Sequence, residues 1–134
     1  MCLYVYATPR IASGVSPAKL SEISGLSVAM HASPAPGTLY FSREPGCSCS
    51  LMSDDADWNH DTWSLRPDVL SGLATALQRL AEETDGFTFQ ALWVNDIPLT
   101  QGDVSLFELL DDVRENHVKN KHVYRVRTRR RPLV

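Results

Sequence analysis

A chain of 134 residues with 43% hydrophobic and 22% charged side chains holds enough apolar material for one core, which argues against a disordered or fibrous protein. No stretch approaches the ~18 consecutive apolar residues of a membrane helix, and three cysteines, an odd number, do not make a disulfide framework. The formal net charge of −3 hides an uneven spread: 6 Lys/Arg oppose 16 Asp/Glu as far as Asn116, and 7 Lys/Arg with no acid follow from His117 to Val134. Such a chain attracts its own other end, or that of another copy, ahead of a polyanion.

Leu3, Val5 and Ala7 alternate with Tyr4 and Tyr6, the period of a strand. Ser16-Pro17 then starts a short helix with Leu20 and Ile23 on its apolar face and Gly25 as terminator. Leu26 to His31 reads as a strand, Ser33 to Gly37 as a turn, and Thr38 to Ser42 as the returning strand of a hairpin. Cys47 to Met52 is a further short strand by the same reading, and Ser53 to Trp63, polar and without period, is a loop. Pro67 opens the strongest element, a helix carrying Leu70, Leu73, Leu77 and Leu80 to about Thr84. Phe87 to Val94 has large residues on both faces and predicts a central strand. Asn95 to Gly102 reads as a loop. Ser105 and Glu108 form a capping box ahead of a helix with Leu106, Leu109, Leu110 and Val113 inward, and His122 to Thr128 closes the chain as a strand.

The order β-α-β-β-α-β-α-β predicts an α+β domain spanning residues 1–134. Its first six elements match a ferredoxin-like (split βαβ) antiparallel sheet with helices on one face, extended by a C-terminal helix and strand. Residues 129–134 read as a flexible basic tail. Met1 to Tyr6 is too short and lacks the basic leader of a signal peptide, so the expected location is a reducing, cytoplasmic one, away from membranes.

Three clusters could carry function. In Cys47-Ser48-Cys49 an extended segment projects both sulfurs from one face, where they could share a metal or close a strained, reducible disulfide. The spacing is not that of a zinc pair, which leaves two or more residues between cysteines. The plain alternative is a pair of small residues packed under a helix, and the acidic loop that follows disfavours a thiolate.

That loop, Ser53 to Asp61, places Asp55, Asp57 and Asn59 at the first, third and fifth positions of an EF-hand-like calcium loop. His60 stands where the turn needs Gly, and Arg66 where the bidentate Glu belongs, so the pattern fails. A looser divalent site from Asp55, Asp57, His60 and Asp61 competes with a solvated loop whose acids cap turns. Trp58 and Trp63 need cover, from the sheet or from a ligand.

Arg125, Arg127 and Arg129 fall at period two and line one face of the last strand, followed by Arg130 and Arg131, with Tyr124 beside them. The row could meet phosphates, but a sequence pI near 5.7 disfavours a nucleic-acid partner. Pairing with Asp54, Asp55, Asp57 and Asp61 is the preferred use of the row. The histidines carry no motif of their own, and no Ser-His-Asp order, Gly-rich phosphate loop, HExxH or CxxC is present. The sequence therefore predicts a small soluble binding or protein-interaction domain, homodimeric, with its surface around Cys47 to Trp63 and a protein or small molecule as ligand. The alternatives are a metal- or thiol-dependent enzyme using Cys47, Cys49 and His60, and nucleic-acid binding through the arginine row.

Overall fold

The structure, a computed structural model, describes residues 3–10, 15–53, 62–93, 100–119 and 122–128. Their elements run β1 (Leu3–Pro9), α1 (Pro17–Ser24), β2 (Ser27–His31), β3 (Thr38–Ser42), a 3-10 turn (Ser48–Leu51) and β4 (Thr62–Trp63). They continue with α2 (Pro67–Glu83), β5 (Gly86–Trp93), β6 (Thr100–Val104), α3 (Leu106–Arg114), β7 (Val118–Lys119) and β8 (His122–Arg127). The fold is α+β. Six strands form one sheet in the order β2-β3-β1-β5-β8-β6, and β4 pairs with β7 apart from it.

Local chemistry explains the boundaries. Ser16 accepts the Lys19 N–H at 3.3 Å to start α1, and Gly25, at φ 71, ends it. Ser105 does the same for α3 by accepting the Glu108 N–H at 3.1 Å. Gly86 opens β5 at φ 136, where a Cβ would stand 2.5 Å from the Val126 carbonyl oxygen.

Register then sets the core. Val5 lies between Phe41 and Ala91, and Ala7 between Leu39 and Phe89, so β1 is the central strand and its apolar residues face the same way as its neighbours'. Those residues are buried, together with the Val69, Leu73, Leu77 and Leu80 stripe of α2. α2 packs between α1 and α3. A Cβ on Gly72 would overlap the Ser24 carbonyl oxygen, so α1 and α2 touch backbone to side. No described helix is long and apolar enough to cross a membrane.

Three places differ from the sequence reading. Cys47 to Met52 is a turn, because Cys47 caps it with its own sulfur and Ser50 N–H and Met52 N–H close back onto Cys47 and Cys49 carbonyls at 3.3 and 3.1 Å. The expected loop Asn95 to Gly102 runs into β6, which pairs parallel with β8, its Gly102 opposite Tyr124. Thr62 and Trp63, at the end of the other expected loop, pair with Lys119 and Val118. Asn116 secures that corner: at φ 61, its side-chain amide both accepts from the Leu65 N–H and donates to the Leu65 carbonyl, each at 2.8 Å. The expected basic tail, 129–134, lies outside the described residues.

Candidate functional site

The Cys47-Ser48-Cys49 turn sits where β1 and β3 part. Beyond the Val5–Phe41 pair β3 no longer follows β1, and the turn's side chains take over as hydrogen-bond partners. Ser48 Oγ accepts the Val5 N–H at 3.0 Å and donates to the Phe41 carbonyl. Cys49 Sγ accepts the Leu3 N–H at 3.0 Å, and the Cys47 thiol lies 3.5 Å from the Leu3 carbonyl. Leu3 and Val5 are fully buried, so these bonds satisfy backbone that water cannot reach. The two sulfurs are 3.0 Å apart, both as thiols, both half-buried.

Trp63 is 2% exposed, and its indole N–H donates to the Ala91 carbonyl at 2.6 Å, which makes it an anchor of β4 against the central sheet. Trp58, Asp55, Asp57, His60 and Asp61 lie outside the described residues, as do the acids expected to meet Arg125 and Arg127. Among the described residues no three His, Cys, Asp or Glu side chains converge as a metal site. Arg125 and Arg127 share Asp103 of β6, at 3.2 and 4.0 Å.

The side of the sheet opposite the helices has a different character. Tyr4, Tyr6 and Thr8 of β1 alternate onto it, with Tyr40 of β3 directly beside Tyr6. The Tyr6 and Tyr40 rings stack at 5.1 Å and 29°, while Tyr4 and His31 meet Tyr40 edge-on at 5.7 and 4.9 Å. A depression of about 330 Å³ opens beside this group, lined by Tyr4, Tyr40 and His31, by the hydroxyl-bearing Ser27, Ser42 and Ser48, and by Pro45-Gly46. At the other end of the same face, about 360 Å³ is bounded by Thr8, Thr88, Arg10, Arg125 and Arg127.

No family model matches this chain, and neither does any curated protein or solved structure.

Burial raises the phenol pKa of Tyr6 and of Tyr40, with the neighbouring tyrosine adding to it in each case, so both are neutral donors near neutral pH. The Tyr40 hydroxyl donates to the Ser33 carbonyl at 2.8 Å, which fixes its ring. Three guanidinium groups line the second depression, and two of them share Asp103. Strands lie about 4.8 Å apart and alternate residues about 6.8 Å along a strand. Arg125 pairs with Thr88, which pairs with Thr8, two residues along β1 from Tyr6. Arg125 thus stands roughly 12 Å from Tyr6 along the backbone by that spacing. Reading the sequence for motifs passed over Tyr4, Tyr6 and Tyr40. Their signal was the same period-two alternation that identified the strands, followed on the polar side.

Proposed function

We propose that this chain is a binding module whose ligand surface is the helix-free face of the sheet, and that its ligand joins a flat ring to an anionic group, as a nucleotide does. The observation that carries the reading is the stacked Tyr6–Tyr40 pair with its flanking Tyr4 and His31, set on the same face as Arg10, Arg125 and Arg127. Aromatic faces contribute about 1–3 kcal/mol per stacked base, and guanidinium groups bind phosphate in a bidentate fork. A net charge of −3 opposes a long polyanion more than a short one, which favours a free nucleotide over a strand. The Cys47 end of the expected surface belongs to it, because Pro45, Gly46 and Ser48 line the aromatic depression.

Two further parts of the proposal concern architecture and setting. The strand order β2-β3-β1-β5, antiparallel at each step, supports the ferredoxin-like reading of the first six main elements. Homodimerisation has in its favour two exposed apolar side chains, Phe107 at 78% and Met30 at 45%. A monomer at micromolar concentration in sedimentation equilibrium would refute the dimer. Cys47 and Cys49, present as thiols, fit a reducing, cytoplasmic setting.

The test is a titration of mononucleotides and of short single-stranded oligonucleotides, followed by tyrosine fluorescence and by anisotropy of a labelled ligand. Saturable binding of the mononucleotide, lost in Tyr40→Ala and made less salt-dependent in Arg125→Ala/Arg127→Ala, is the expected result. Binding of oligonucleotides only would transfer the surface to single strands. If neither ligand binds at millimolar concentration, the proposal fails.

A further inference from the structure

The two sulfurs beneath β1 have a chemistry that the binding face does not use. Cys47 Sγ and Cys49 Sγ are 3.0 Å apart, about 1 Å beyond the ~2.05 Å of an S–S bond, in a turn that already aims them at each other. Both are half-buried, whereas Ser48 between them is 2% exposed. The cysteine residues are thus partly open to solvent while the seryl hydroxyl stays sealed in the ladder. Each sulfur is also held by backbone: Cys47 Sγ accepts the Cys49 N–H at 3.4 Å, and Cys49 Sγ accepts the Leu3 N–H at 3.0 Å.

We propose that Cys47 and Cys49 are a thiol–disulfide exchange site that takes small peptide disulfides of the glutathione type. Cys49 loses its proton to solvent and attacks one sulfur of the small disulfide, forming a mixed disulfide and expelling one thiolate, which takes up a proton. Cys47 then loses its proton to solvent and attacks Cys49 Sγ, expelling the second small thiol. In sum two protein S–H groups become one S–S bond, the S–S bond of the small molecule becomes two S–H groups, and two electrons pass from protein to oxidant. The single Cys47 proton, within reach of the Leu3 carbonyl at 3.5 Å and of Cys49 Sγ at 3.0 Å, is lost in the second step. Oxidation thus removes one of the groups that satisfy the edge of β1, next to the aromatic depression.

The experiment uses the full chain with Cys2→Ser, which leaves two thiols. The protein is equilibrated with mixtures of reduced and oxidised glutathione, quenched in acid, alkylated and weighed intact. Both thiols are expected to disappear together, with the oxidised fraction following the oxidised form over the square of the reduced form and no glutathione retained. Adding Cys47→Ser should convert the product to a single glutathione adduct. Two alkylated thiols at every ratio, or two glutathione adducts without an internal link, would overturn the site. Should Cys2→Ser fail to fold, the unaltered chain is oxidised and mapped. A peptide two hydrogens lighter linking Cys47 to Cys49 supports the proposal, and a link from Cys2 to either overturns it.

Discussion

Replacing Ser48 with Ala tests whether a side chain really stands in for a strand at the centre of this sheet. The hydroxyl serves the Val5 N–H and the Phe41 carbonyl at once, and Val5, Phe41 and Ser48 are all closed to solvent. Each buried backbone group left unpaired costs about 1–3 kcal/mol. Two of them would cost roughly 2–6 kcal/mol, and partial closing of the β1–β3 gap should hold the loss near the lower half of that range, at about 3 kcal/mol. Against a whole-domain stability on the order of 5–15 kcal/mol this is a large share. With a urea slope of about 2 kcal/mol/M, the midpoint should fall by roughly 1.5 M. Urea melts followed by far-ultraviolet circular dichroism supply the midpoint, and amide hydrogen exchange should show Val5 losing protection first. A shift below about 0.5 kcal/mol with Val5 still protected would refute the reasoning, because it would mean the strands pair directly without the seryl bridge.

Other perturbations probe the rest of the frame. Tyr124→Phe removes a hydroxyl that accepts the Lys119 N–H at 2.8 Å and donates to Asp112 at 2.9 Å, and should cost about 1–3 kcal/mol in chemical denaturation. Burial, helped by Lys119 and opposed by Asp112, lowers the His122 pKa. Its unfolded form therefore takes up a proton near the ordinary ~6.5 while the native form resists, so stability is full above that pH and falls as pH drops toward the native value. Melting temperatures between pH 5 and 8 should show this slope, and His122→Gln should flatten it. Gly72→Ala adds a methyl against the Ser24 carbonyl and should destabilise by about 1–3 kcal/mol in urea, despite alanine's better helix propensity.

The helices were legible because their signals are local: Ser16, Pro17 and Gly25 bracket α1, and the leucine spacing of α2 survives any reading frame. The central strands were legible for a similar reason, since buried and half-exposed residues alternate along Leu3 to Pro9 as they do in the sequence. Thr100-Gln101-Gly102-Asp103-Val104 was not, because it has few β-branched residues and is a strand only through its parallel partner β8. Cys47 to Met52 misled for the opposite reason: its small residues suit a strand, but their side chains bond backbone groups and turn the chain. The candidate site was half visible. Arg125 and Arg127 were placed on one face correctly, and Asp103, their partner, could not be named without the β6–β8 register. The cysteine pair was found from spacing alone, and its role under β1 depends on contacts 43 to 46 residues away in sequence.

The central position of β1 also has a consequence for synthesis on the ribosome. β1 leaves the tunnel ahead of both strands that flank it, of which one ends at Ser42 and the other runs from Gly86 to Trp93. The chain must be made as far as β5 before Leu3, Val5 and Ala7 can be enclosed on both sides. Until then the apolar residues of β1 wait for their second neighbour, dependent on slow, long-range pairing. Newly made chains should therefore be most exposed to chaperones and proteases at β1, and that exposure should end abruptly once β5 emerges.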